Sequence, residues 1–479
     1  MSYQQLQHIG IIGAGASGLS SAKALIAEKC FQSIEILEQR METGGVWNYT
    51  RETANVSVPS TDPSIVEEAV ISAGKPVFIS AMYDDLETNI PKQLMNFDTH
   101  PFPANLPLFP PHTAVKEYIE EYGKDVQHLI TFNAKVVDCR KKGTKWEVLV
   151  NDPQTGQLQG KRYYDAIIIT VGHYNIPYIP SVPGLDEWTK AYPGSISHSK
   201  NFRKANSYIG KKVVIVGNSA SGLDIAAQIS RFSQSPILQS CRGESGLFAG
   251  DTQDAICKLP EIQSFSIPER SVEFCDGRIE KNVDHILYCT GYLHSLPFLS
   301  SLNETKDPLI VNGSRVHNLY QHIFYIPDPT LSIIGLPVKV IPFQLAQAAA
   351  ALVARVWASR IILPSMAEMK HWELREIAEK GDGKHFHYMD FPRDADYLDL
   401  LGYMCQQAKG EGNTEIGFKA PKWGERERWV RARTHRIKNA YLERKKQGVV
   451  VRKLEELGFD FEKGIDGYER SESHRVGKL

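Results

Sequence analysis

One local pattern occurs twice in this chain, and it constrains the fold more than any other feature. Residues 9–25 read IGIIGAGASGLSSAKAL, and residues 211–229 read KKVVIVGNSASGLDIAAQI. In both, a short β-branched apolar run enters a glycine turn, and an Ala/Leu-rich helical pattern leaves it. Gly13-x-Gly15-x-x-Gly18 is answered by Gly217-x-Ser219-x-x-Gly222. Ala16, Ser17 and Leu19 recur as Ala220, Ser221 and Leu223. The first glycine makes the strand-to-helix turn. The middle residue must be tiny so that a pyrophosphate can approach backbone, and the third lets helix pack on strand. The helix N-terminus then faces the phosphates with its unpaired N–H groups.

A single turn of this kind is weak evidence, but each copy here carries a downstream partner. After the first, strand SIEILE ends at Glu38, roughly 20 residues beyond Gly18, where an acid accepts from an adenosine ribose. After the second, PILQSCR ends at Arg242 at the same spacing. A cation there suits a ribose 2′-phosphate, so the second site is expected to prefer NADPH to NADH. A second echo follows. YYDAIIITVGHY and NVDHILYCTGY each lead from an Asp (Asp165, Asp284) through an apolar strand to a small-residue turn (Gly172, Thr290-Gly291). These read as the closing strands of two Rossmann units. An acid-type first site and an Arg-type second site imply FAD plus NADPH, with hydride passing from one to the other.

Composition removes several other classes. Lys+Arg and Asp+Glu number 55 and 56, so net charge of −1 offers no general attraction to nucleic acid or anionic membrane. The 7 cysteines are dispersed, with no C-x-x-C pair and no metal-ligand spacing. They read as free thiols in a reducing, cytoplasmic setting. No metal site is expected. The N-terminus lacks a charged, apolar, small-residue signal order. The most apolar window, Phe343–Leu363, contains Arg355 and Arg360 and reads as a buried helix rather than a membrane anchor.

Between the two turns, EQRMETGGVWNYT follows Glu38 directly. Gly44-Gly45 permits close backbone approach to a ligand, and Trp47 can stack beside it; a glycine turn with a core Trp is the plainer alternative. With these residues in place, the chain resembles the flavin-containing monooxygenases, in particular soluble, fungal-type members. Gly13-x-Gly15-x-x-Gly18 with Glu38 looks like the family's FAD fingerprint, and Gly44-Gly45-x-Trp47 like its continuation. LETNIPKQLMNFDTHPFP is similar to the family's N-x-P-K-x-x-M-x-F segment. YPGSISHSKNF (192–202) resembles its identifying sequence, and YCTGYLHSLPFL its Ala-Thr-Gly-Tyr motif. Tyr192, Ser219 and Cys289 stand where the family has Phe, Gly and Ala.

The resemblance implies an α/β protein of two Rossmann-like dinucleotide-binding domains, the second inserted in the first. The FAD domain would comprise residues 1–175 and, with a C-terminal helical region, 293–479; the NADPH domain would be 176–292. It implies cofactor binding by Gly13, Gly15, Ala16, Ser17, Gly18, Glu38, Gln39, Gly45, Val46, Trp47, Asn89, His198, Gly217, Ser219, Ser221, Gly222, Arg242, Thr290 and Gly291. Asn89 would also be catalytic. Reduced flavin would add O2 at C4a and pass the distal oxygen to an amine nitrogen or a sulfide, a step needing no protein acid, base or nucleophile. Tyr192–Phe202 would be the linker joining the two sites. His198, read without the resemblance, is a satisfied loop histidine rather than a base. A small-molecule substrate and O2 are the expected partners, without nucleic acid or membrane anchor; a homodimer is left open.

Rivals differ at identifiable residues. A Baeyer–Villiger monooxygenase would end its identifying sequence in Trp followed by Pro or Asp, where this chain has Phe202-Arg203. A disulfide reductase would need a redox cysteine pair near the flavin. An uncoupled NADPH oxidase or a nucleotide-binding sensor would share every motif. HPFPANLPLFPP (100–111) is expected to be an ordered surface loop near the active site, or simply a loop, NDPQTGQLQG a hairpin turn, and Arg426–Lys446 a solvated amphipathic helix. The terminal VGKL lacks the Ser of a peroxisomal address. Substrate-lining candidates are Tyr49–Tyr83, the proline loop and Gly335–Phe343.

Overall fold

The computed structural model describes residues 6–243, 255–408 and 417–467. The VGKL tail lies outside the described residues. The first apolar run forms β1 (His8–Ile12), and the glycine turn leads into α1 (Ala16–Glu28). The chain returns as β2 (Ser33–Leu37) and, much later, β3 (Ile130–Thr131). An antiparallel meander of β4 (Lys135–Lys142), β5 (Lys145–Asn151) and β6 (Leu158–Tyr164) precedes the closing strand β7 (Ala166–Ile169). β1 pairs in parallel with both β2 and β7. The NDPQTGQLQG segment does turn the chain from β5 into β6.

The second copy repeats the plan. β8 (Ile196–His198), β9 (Val213–Val216), α2 (Ala220–Ile229), β10 (Ile237–Ser240) and β11 (Ile256–Leu259) come first. A second meander follows, of β12 (Ile262–Ser266), β13 (Ser271–Phe274) and β14 (Ile279–Glu280). β15 (His285–Tyr288) closes it. The sheet runs β8-β15-β9-β10-β11, all parallel. The chain then returns to the first sheet, where β16 (Leu331–Ile333) pairs in parallel with β7. The outgoing and returning chains run side by side: Ile176-Pro177 pairs antiparallel with Tyr292-Leu293.

The repeated aspartates have a structural reason. Asp165 Oδ2 accepts the N–H groups of Gln7 and His8 at 2.9 and 2.8 Å, and Asp284 Oδ2 accepts that of Lys212 at 2.9 Å. Each carboxylate ties the start of the closing strand to the start of the first, satisfying edge N–H groups that burial would otherwise orphan.

The long apolar window forms α3 (Pro342–Trp357), which packs against α1 and is buried along its length. Leu19 and Leu25 of α1 and Leu352 of α3 are essentially inaccessible to solvent, each contributing about 1.5–3 kcal/mol by burial. Arg355 is buried too, its Nη1 donating to the carbonyls of Ala351 and Phe418, and Arg360 pairs with Glu28 at 2.7 Å. Among the described residues no helix is long and apolar enough to cross a membrane.

Two expectations need correction. The proline loop is a surface loop only in its first half: Pro101, Pro103, Ala104 and Asn105 are exposed, whereas Leu108 and Phe109 are fully buried. Its turns are gathered by the buried Lys92 ammonium, which donates to the carbonyls of Pro103, Ala104 and Leu106. The basic stretch is not one solvated helix. It breaks into α4 (Glu425–Ala432) and α5 (Thr434–Lys446), and its cations are answered by acids on other elements. Arg431 pairs with Asp394, Arg428 with Asp396 and Asp399, Arg433 with Asp466 and Lys445 with Glu87.

Candidate active site

Both glycine turns open into one cavity of about 1480 Å³, well above the roughly 300–1,000 Å³ usual for a single ligand. The carboxyl ends of the parallel strands of both sheets line it, the position where open α/β sheets bind ligands. The turns are built alike. Gly13 and Gly217 take φ of +106° and +112°, and a Cβ on either would meet the carbonyl oxygen of the closing strand, Thr170 at 2.8 Å and Cys289 at 2.6 Å. A Cβ on Gly18 would stand 1.9 Å from the Gly13 oxygen, and one on Gly222 2.3 Å from the Gly217 oxygen. Gly18 and Gly222 therefore do not reach the cavity; they fit helix to turn. Gly15, Ala16, Ser17, Ser219 and Ser221 do line it, as do the closing residues Thr170, Thr290 and Gly291.

Glu38 stands at the end of β2 with its side chain buried. Oε2 accepts the Ala14 N–H at 2.7 Å and Oε1 that of Arg40 at 2.9 Å. A carboxylate offers about four acceptor positions, so its fixed oxygens keep capacity for hydroxyl donors in the cavity. Gln39 lies beside it. Gly44 and Gly45 serve a purpose the sequence did not reveal. The Gly44 N–H donates to the Ala14 carbonyl at 3.2 Å, and a Cβ on Gly45 would meet the Gly15 Cα at 3.2 Å. The two glycine turns press backbone against backbone at the cavity wall. Val46 and Trp47 follow in the lining, with Trp47 edge-on to Phe343 at 6.4 Å. Asn89 is exposed to the cavity, and its side chain bonds to no other described residue.

Arg242 lines the opposite half, beyond β10, its Nε 2.5 Å from Glu261 Oε1. His198 is elsewhere, which corrects the expectation of cofactor contact. It is fully buried outside the lining, its Nε2 donates to the Gly291 carbonyl at 3.0 Å, and its Nδ1 accepts the Lys200 N–H at 3.1 Å. Burial pushes its pKa down to about 3, so the ring is neutral and structural.

The rest of that linker explains itself by what it grips. Lys200 Nζ holds Glu67 and the Asn175 carbonyl, and Asn201 exchanges two hydrogen bonds with the Ala54 backbone. Arg203 Nη1 donates to the carbonyls of Met82, Lys200 and Phe202, and its Nη2 to Glu52 O, Ser80 O and Thr50 Oγ1. One short stretch clamps the second sheet to the loops of the first.

A family model described as "Flavin-binding monooxygenase-like" matches residues 6–248 and 254–414. The chain belongs to that family. This flavin-binding monooxygenase is 32% identical to a thiol-specific monooxygenase of Saccharomyces cerevisiae, over 74% of its own length and 78% of the relative's. It is 27% identical to flavin-containing monooxygenase iboF of Amanita muscaria (86% and 90% covered). Among solved structures it resembles S-allyl-L-cysteine S-oxygenase from Allium sativum, with TM-score 0.73 and 29% identity over 94% and 96% of the two chains. Cyclohexanone monooxygenase shares the fold at TM-score 0.55 and 11% identity, covering 83% and 98%. Family members are FAD- and NADPH-dependent enzymes acting on small molecules with O2.

Of the substrate-lining candidates, Ile65–Glu67 and Ile79–Tyr83 line the cavity, as do Gly335, Pro337–Val340, Pro342 and Phe343; the proline loop does not. A further wall had no sequence signal. Arg431, Thr434, His435, Lys438, Asn439 and Leu442, from α4 and α5, complete the enclosure. Lys438 donates to the Thr88 carbonyl at 2.8 Å, one residue from Asn89. Burial pushes its pKa down to about 8, against the opposing fields of Glu87 and Asp224. Tyr83 donates to Asp224 of α2, a further bond between the halves.

Proposed function

We propose that this monooxygenase transfers one oxygen atom of O2 to the nitrogen or sulfur of a small soft nucleophile, at the expense of NADPH. The observation that carries the reading is the cavity shared by two glycine turns, each at the carboxyl end of a parallel-paired strand in its sheet. The residues fit the two cofactors. The backbone floor of Gly13–Ser17 and the N-terminus of α1 suit a pyrophosphate, and the remaining lone pairs of Glu38 suit ribose hydroxyls. Gln39 and Gly45–Trp47 would flank FAD. Gly217, Ser219, Ser221 and the N-terminus of α2, with Arg242, Thr290 and Gly291, would hold NADPH. Bound flavin supplies the two-electron and O2 chemistry. The chain's own part is to orient both nucleotides, exclude water with the α5 wall, and present the Asn89 amide to the reacting edge. The names of the thiol-specific and S-allyl-L-cysteine relatives support the sulfur arm.

The test is anaerobic reduction by NADPH, followed by O2 labelled with ¹⁸O and a panel of amines, thiols, sulfides and a cyclic ketone. Label in an N- or S-oxide is the expected result. Label in an ester would mean Baeyer–Villiger chemistry, and NADPH oxidation that reduces all the O2 consumed to hydrogen peroxide with every compound would sink the reading. Asn89→Ala is expected to keep FAD but to divert most NADPH oxidation to hydrogen peroxide; unchanged coupling would make Asn89 structural. Arg242→Ala is expected to raise KM for NADPH about 10- to 100-fold and KM for NADH little, the scale of a lost charged hydrogen bond. Equal effects on both would remove Arg242 from the 2′-phosphate.

A further inference from the structure

We propose that Lys384, with Lys339 beside it, completes the site for the 2′-phosphate of NADPH in the cavity that Arg242 lines. The proposal rests on the reading of Arg242 above and adds a second half to it, drawn from the C-terminal part of the chain. All three cations line the same cavity.

The turn that carries Lys384 is built to stay in place. Lys384–His387 is a 3₁₀ turn whose Phe386 and His387 are fully buried. His387 Nε2 accepts the Val316 N–H at 3.2 Å, so its proton sits on Nδ1 and is donated to His322 Nδ1 at 3.0 Å. The guanidinium of Arg315 lies 4.2 Å over the Phe386 ring. The Val338 N–H donates to the His387 carbonyl at 2.9 Å and the Met389 N–H to the Val338 carbonyl at 3.0 Å, which sets Lys339 alongside.

The charge pattern is unbalanced. Lys339 shares Asp390 at 2.9 Å and Arg242 shares Glu261 at 2.5 Å. Lys384 is exposed to the cavity and has no carboxylate partner among the described residues. Burial, then the fields of Arg242 and Lys339, hold its ammonium below the ordinary lysine value. Glu261 and Asp390, the carboxylates already shared by Arg242 and Lys339, line the same cavity, so the three cations leave one positive charge unanswered, which an anion would balance. The anion is a phosphate because Arg242 follows β10, the strand whose end meets the adenosine ribose in this type of unit. Bridged in this way, the 2′-phosphate would draw the two halves of the cavity together.

The test is calorimetric titration of the purified FAD-loaded protein with adenosine 2′,5′-bisphosphate and, separately, adenosine 5′-monophosphate. Wild type is expected to prefer the bisphosphate. Lys384→Met should weaken the bisphosphate about tenfold or more and leave the monophosphate unchanged, on the scale of a charged hydrogen bond. Lys384→Arg should restore most of the loss, and Lys339→Met should cost less because Asp390 already shares that cation. If Lys384→Met binds the bisphosphate like wild type while Arg242→Ala does not, Lys384 is outside the site and the Arg242 reading stands. If wild type binds both nucleotides alike, both readings fall.

Discussion

Gly18→Ala is expected to yield a protein that purifies without flavin, or does not accumulate as folded protein. The added Cβ would stand 1.9 Å from the Gly13 carbonyl oxygen and 3.0 Å from Thr170 Oγ1. Neither neighbour can yield. The Gly13 turn is held by its own N–H to the Leu37 carbonyl at 2.8 Å, and Thr170 Oγ1 donates to the Ile12 carbonyl at 2.8 Å. The helix itself must lift off the strand, at a cost at or above the roughly 1–3 kcal/mol of ordinary overpacking. Gly15→Ala is the control. Its Cβ meets nothing nearer than the Gly45 Cα at 3.5 Å, an ordinary contact, so the fold should persist while the cavity floor is raised under the cofactor. The measurement is the ratio of flavin to protein absorbance together with the melting temperature of each variant. A Gly18→Ala protein with full flavin and wild-type melting would show that α1 is free to shift.

The second large effect is expected at Arg203. Its guanidinium is largely withdrawn from water and is satisfied mainly by five carbonyl oxygens and one hydroxyl drawn from three separate stretches of chain. Arg203→Met keeps the volume but leaves those oxygens without a donor. The loss should be several kcal/mol, on the scale of about 1–3 kcal/mol for each buried acceptor left without a donor. Arg203→Lys should recover little, since a single ammonium cannot reproduce the planar fork that reaches Met82 and Glu52 together. Urea unfolding midpoints for the three proteins test this. A Lys variant as stable as wild type would mean the charge, and not the fork, holds the halves.

How far the sequence carried can be judged residue by residue. The duplicated turns, Glu38 and the closing strands lie where the pattern placed them, because each depends on backbone geometry within a few residues. His198 divides the two readings. As a satisfied loop histidine it holds, both ring nitrogens being spent on Gly291 and Lys200, but the cofactor contact implied by the resemblance does not, because the ring sits behind the wall. Gly44-Gly45 was legible as a close approach, but the partner is the Gly15 backbone as well as a cavity. The proline loop was read as exposed because proline excludes helix and central strand. Nothing local in it foretold that Lys92 would gather its carbonyls and send Leu108 and Phe109 inward.

By itself, then, the sequence determined the two nucleotide units, their order and the chemistry that family membership brings. Those features are written in short-range spacing: a glycine where φ must be positive, a small residue where backbone must be bare, an acid or cation at a strand end. Only the tertiary structure decided what encloses the cavity. The α5 wall with Lys438, the Arg203 clamp, and the cavity that Lys384 and Arg242 both line join residues more than a hundred positions apart in the chain. No periodicity records such pairs, because each side chain is specified by a partner that folding alone brings near.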